Sequence, residues 1–195
     1  MNRLVIFFLL ILAAFGTALT APQPPNIVVI LVDDMGFSDI GCVMAARSSR
    51  LTSTRWRLRH YKHFNHEGGI ATPLIVHWPD RVKTPGQLRQ QPGHMVDILA
   101  TCVDVAGAKY PAEFHGKPIE PMEGKSLLPA MEDKLIERDA IYWEHEGNAT
   151  IREGDWKLVR LGRNGPWELY NLKTDRTELH DLASVQLERA AQLAA

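Results

Sequence analysis

The sequence predicts an α/β protein, a mostly parallel sheet with helices on both faces, followed by a small antiparallel sheet and a helix. Three observations predict it. Residues 26–32 read Asn-Ile-Val-Val-Ile-Leu-Val, six apolar in seven with no alternation. Such a run suits a strand buried on both faces, as in a parallel sheet covered by helices. Residues 94–105 place Met95, Ile98, Leu99, Cys102 and Val103 on one face at helical spacing, and Gly107 closes the helix. Between 140 and 172, four short β-rich stretches are separated by turns containing Gly or Asn.

The elements follow in order. Arg3 and the apolar run 4–15, ahead of small residues at 16–21, form the pattern of a secretory signal peptide over residues 1–21. The run is shorter than the ~20 residues a membrane span needs. The expected destination is therefore the periplasm or the cell exterior, with no stable span after leader cleavage. A proline-rich spacer at 22–25 precedes the first strand, which ends at Asp33-Asp34. Residues 22–42 are read as that strand and the acidic segment after it. Residues 43–59 are anomalous, with Arg47, Arg50, Arg55, Arg57 and Arg59, no acid and no clean period. Residues 74–77, between Pro73 and Pro79, read as a second short buried strand. They lie within a stretch, 60–135, that continues the main domain. A subdomain at 136–195 holds the strands 140–143, 149–152, 156–161 and 167–172 and a helix at 187–194.

Composition excludes one class. The 22 basic and 23 acidic residues leave a net charge of −1, so no positive excess exists to neutralise nucleic-acid phosphates. The two cysteines, Cys42 and Cys102, do not make a disulfide framework. Cys102 sits in an apolar helix pattern and reads as a buried free thiol.

Asp33-Asp34 is the first candidate site. Adjacent carboxylates after a buried strand are costly without a positive partner, and a hard divalent cation such as Ca²⁺ prefers their oxygens. A solvated acidic turn is the other reading of the pair alone. His60, His63 and His66 lie three apart, with Glu67 next. On a helix they would share a face and could hold zinc. Gly68-Gly69 breaks any helix there and no HExxH spacing occurs, which argues against that set.

Longer motifs add a family. Residues 25–42, PNIVVILVDDMGFSDIGC, resemble the opening of sulfatases in the alkaline-phosphatase-like superfamily. Residues 61–79, YKHFNHEGGIATPLIVHWP, resemble a later sulfatase segment in which a lysine stands five residues before E-G-G. The helix His94-Met95-Val96-Asp97, the loop Gly124-Lys125-Ser126-Leu127-Leu128-Pro129 and the stretches 143–148, 152–159 and 167–182 are similar to further family segments. They read as scaffold, with the aromatic residues packing the small sheet against the main domain. The resemblance implies a partial sulfatase fold, Ca²⁺ bound by Asp33 and Asp34, a catalytic sulfate contact at Lys62, and a sulfate ester or sulfated carbohydrate as partner. A lysine suits that contact as a compact charge facing a tetrahedral anion.

The family nucleophile is a formylglycine made from the cysteine of C-x-P-S-R, and no such motif occurs. The segment completing the Ca²⁺ site is absent too, and two aspartates fall short of the roughly 6–8 oxygens Ca²⁺ takes. The expectation is a sulfuric ester hydrolase of arylsulfatase type, inactive for want of a nucleophile. The alternative is a non-catalytic exported remnant that binds an anion or a sulfated glycan. A phosphatase-like relative would need a Ser or Thr nucleophile and zinc ligands, which the sequence does not offer. Residues 43–57 can be back-translated to read YGGEILTPNLDALA in another frame, which is family-like. A frameshift there is one source of the arginine excess, and a genuine basic insertion is the other.

Overall fold

The computed structural model describes residues 25–32 and 58–195. The elements, in chain order, are α1 (Glu67–Ile70), α2 (Val96–Val105), β1 (Glu113–Phe114), β2 (Lys117–Pro118), α3 (Leu128–Met131), β3 (Ile141–His145), β4 (Asn148–Glu153), β5 (Trp156–Arg160), β6 (Trp167–Asn171) and α4 (Leu187–Ala194).

β3 to β6 form one meander in the order β3-β4-β5-β6, every pair antiparallel. The turns explain it. Glu146 and Gly147 take φ of +53° and +82° between β3 and β4, the two positive values of a type I′ hairpin. Gly154 takes φ +58° at the next turn, where a type II′ hairpin asks for glycine. The register pairs Leu158 with Leu169 and Lys157 with Tyr170. Side chains alternate across the sheet, so its two faces differ. Leu158, Leu169 and Leu193 of α4 form a buried apolar cluster on one face, joined by Trp156, Trp167, Leu182 and Ala190. Lys157, Val159, Glu168 and Tyr170 face the other way.

Trp156 and Trp167 thus pack under α4, whereas Trp143 and Tyr170 meet His94 and His66 of the preceding segment, as expected of the sheet's aromatic residues. Trp156 lies beneath the Arg189 guanidinium at 5.5 Å and Trp167 beneath that of Arg160 at 4.6 Å.

The α/β expectation is corrected. Among the described residues both sheets, of two and four strands, are antiparallel, and no parallel sheet is present. Residues 26–32 and 74–77 belong to neither sheet, and Val28, Ile30 and Leu31 are exposed. An apolar run reports that a strand would be buried; it cannot supply the neighbouring strands that bury it. The two segments instead flank α2, lining a cleft of about 260 Å³ with Ile98, Cys102 and Leu127. For the same reason the apolar face of α2 is not covered. Met95 and Leu99 are exposed, while Asp97 and Ala100 are buried. Cys102 is a half-buried free thiol.

α2 ends as its sequence asks. Gly107 has φ +60°, the Gly107 amide donates to Asp104 O, and the Ala108 amide donates to Val103 O at 3.0 Å. These are the paired bonds of a Schellman cap. Asp97 fastens the start of α2 to the rest. Its carboxylate accepts from the His94 amide at 2.7 Å, the Lys125 amide at 2.8 Å and the Arg138 guanidinium at 2.7 Å.

Candidate functional site

The segment 59–71 lies across the polar face of the large sheet. Tyr61 to Phe64 make a turn closed by the Phe64 amide on Tyr61 O, and Lys62 stands exposed on it. The chain then folds tightly into α1, a single turn that contains Gly68 and Gly69, so the pair does not break the helix as expected. A side chain at Gly68 would strike the carbonyl oxygens of Arg59 and His60, and one at Gly69 would strike that of Phe64. The double glycine exists because backbone must pass backbone here.

Beneath the turn lies a buried charge cluster. The Lys157 ammonium, fully buried, pairs with Glu178 at 2.8 Å and Glu67 at 3.1 Å. The Glu67 amide donates to Glu178 Oε2 at 2.7 Å, and Arg176 approaches Glu67 at 3.5 Å. One ammonium thus serves two buried carboxylates. Burial pushes the Glu178 carboxyl above its usual range, with Lys157 opposing. Losing one partner of such a buried set typically costs about 3–5 kcal/mol, because a charge is left uncompensated.

A second group adjoins it. Arg59 pairs with Glu168 at 2.8 Å and donates to the Tyr170 hydroxyl, which in turn donates to Glu168 at 2.5 Å. His66 Nε2 meets the same carboxylate at 3.1 Å. Burial drives the His66 pKa down to about 4 against the pull of Glu168, so the ring is neutral at pH 7. Arg59, the last residue of the basic junction, is thus tied to β6.

The three evenly spaced histidines do not converge. His60 stacks on Phe64 and tilts against His66, each at 4.5 Å. His66 is buried against Glu168, while His63 turns outward to Glu146. Asp33 and Asp34 lie outside the described residues, as do the leader and Cys42, so the acidic pair and Lys62 are not compared in space.

Sequence reasoning passed over Lys157, Glu178 and Glu168 as scaffold. Lys157 carried a signal, as the one cation among the apolar residues 156–159 of a predicted strand. Its partners, 90 residues earlier and 21 later, could not be matched to it by spacing.

Residues 56–193 match the family described as N-sulphoglucosamine sulphohydrolase, C-terminal. Over 131 residues the chain is 32% identical to an uncharacterized sulfatase of Schizosaccharomyces pombe, covering 64% of this chain and 24% of that one. It is 27% identical to the N-acetylgalactosamine-6-sulfatase of Mus musculus over 115 residues, 58% of this chain and 21% of the mouse protein. The crystal structure of Ps i-CgsB superposes with a TM-score of 0.58 at 27% identity, covering 70% of this chain and 30% of that one. The structure of Ps i-CgsB in complex with k-i-k-neocarrahexaose superposes equally. The chain spans about a quarter of the length of the first of these curated relatives.

Proposed function

This chain belongs to the sulfatase family, matching it through the C-terminal region of N-sulphoglucosamine sulphohydrolase, and on that premise we propose that it is an arylsulfatase-type sulfuric ester hydrolase by descent, held short of turnover because its nucleophile segment is missing. Lys62 is the residue we assign to the sulfate. One observation carries the assignment: Lys62 is exposed on a turn whose flanks are fixed by the Glu67–Lys157–Glu178 cluster. A backbone already fixed at the turn spares the cost of ordering the segment and leaves that of the Lys62 side chain itself.

Asp33 and Asp34 would supply carboxylate oxygens to Ca²⁺, the hard cation that such donors suit. Two adjacent aspartates fall short of a full shell, so the reading gives them binding and no step of a reaction. The leader at 1–21 would route the chain out of the cytoplasm. The partner class is a sulfate ester or sulfated carbohydrate. The oligosaccharide complex of Ps i-CgsB supports a carbohydrate, and with the C-x-P-S-R motif absent it favours a second reading, a non-catalytic binder of sulfated glycan.

An aryl sulfate assay and a titration with a sulfated oligosaccharide separate these readings. We expect no turnover, saturable binding, and binding weakened about tenfold by Lys62→Ala, roughly the 1.4 kcal/mol of one charge-assisted contact. Aryl sulfate hydrolysis would refute inactivity. Equal binding by Lys62→Ala would remove Lys62 from the site.

A further inference from the structure

We propose that His63, His145 and Glu146 form a three-ligand site for a divalent transition-metal ion such as Zn²⁺, where the 61–64 turn meets the β3–β4 hairpin. The three donor atoms lie within 4.8 Å of one another. From the same oxygen, Glu146 Oε1, His63 Nδ1 stands at 3.3 Å and His145 Nε2 at 3.7 Å. Ligands on one tetrahedral zinc, each at about 2.0 Å, stand about 3.3 Å apart, which the first spacing matches and the second exceeds by a few tenths of an ångström. Two imidazoles and one carboxylate suit zinc and its neighbours in the first row, not Ca²⁺. The side chains are each more than half exposed, so an ion can enter and solvent can fill the remaining coordination.

Proximity alone would be weak ground, since exposed His and Glu often meet by chance. The backbone beneath argues for more. The buried Asn148 side chain donates to His63 O at 2.9 Å, and the buried Asn65 side chain donates to both Trp143 O and Asn148 O at 3.2 Å. Two asparagines therefore clamp the strand ends that carry His145 and Glu146 to the segment that carries His63. The turn is specific as well. A type I′ hairpin favours Asn-Gly or Asp-Gly, yet Glu146-Gly147 occupies it, with the longer carboxylate reaching His63. His63 itself holds φ +82°, in the left-handed region that histidine enters more readily than most residues, and its ring meets the Glu146 carboxylate from there. The backbone that carries the ligands is thus set before any ion arrives, which leaves only the three side chains to be ordered on binding. This site shares no residue with the proposed sulfate contact, and its test is independent of that reading.

Equilibrium dialysis of the full chain against Zn²⁺ alone, with Co²⁺ as a visible-absorption probe, tests it. We expect one saturable Zn²⁺ per chain and the absorption bands of a low-symmetry Co²⁺ site. His145→Ala and Glu146→Gln should each weaken binding at least about tenfold, the lower bound seen even for outer-shell partners. His180→Ala, which removes a histidine paired with Asp175 elsewhere, should leave binding unchanged. Should Glu146→Gln disturb the hairpin, His145→Asn at the strand end gives the same reading. No saturable uptake, or uptake that survives loss of His145, overturns the site.

Discussion

His66 shows how burial sets the response of a single side chain to pH. Its pKa falls from 6.5 to about 4 because the ring is desolvated, and the Glu168 carboxylate recovers only part of the loss. The unfolded chain therefore takes up a proton that the folded chain refuses. Stability from this group is complete above pH 6.5 and is lost as pH falls toward 4, by up to roughly 3 kcal/mol. Burial lowers His60 and His94 in the same direction, so the slope has several sources. The thermal midpoint should fall between pH 7 and pH 5, and His66→Gln should flatten that fall without removing it. An unchanged slope in the variant would show that His66 is not the dominant group. Nothing in the sequence announced this: His66 was one of three evenly spaced histidines, and the carboxylate that matters lies 102 residues away.

At the level of elements, the close turn at 66–70 and the helix end at 105–108 make opposite demands on glycine. Gly69 is required because a Cβ there would overlap the Phe64 carbonyl oxygen. Gly107 is required only by its φ of +60°, with open space beyond. Gly107→Ala should cost about 1 kcal/mol, the strain of a left-handed residue. Gly69→Ala should cost more, about 2 kcal/mol or above, since the turn must open. Chemical denaturation of both variants checks the order; equal losses would mean that the turn yields. Local patterns of this kind were legible in advance. The four strands and the final helix lie within two residues of where their β-rich and amphipathic stretches place them, because hairpin turns and helix periods are properties of neighbouring residues. The parallel sheet was expected and is absent among the described residues, because residues 26–32 state a need for partners that must come from elsewhere in a chain. The candidate site was partly legible. The double glycine stood out in the sequence but was read as a helix breaker, whereas it lies inside α1, and the charge cluster beside it depends on pairings too distant to infer.

Across the described residues of the molecule, apolar side chains are divided unevenly. The C-terminal sheet buries its own cluster under α4, whereas Ile27 to Val32 and Leu74 to Val76 face solvent. Exposed apolar surface with unpaired backbone favours association. The purified chain should self-associate at micromolar concentration, and the double change Val28→Lys with Ile30→Lys should reduce it, as read by light scattering. Scattering unaffected by those charges would place the sticky surface elsewhere.

The contrast between the two sides of β5 and β6 has a further consequence. Neighbouring residues Lys157 and Leu158 are both fully buried, one in a nest of carboxylates and the other in oil. A slip of β5 by a single position would carry the ammonium into the leucines and leave Glu178 without its cation, with only Arg176 still near Glu67. A slip by one position is therefore penalised twice over, once by each environment.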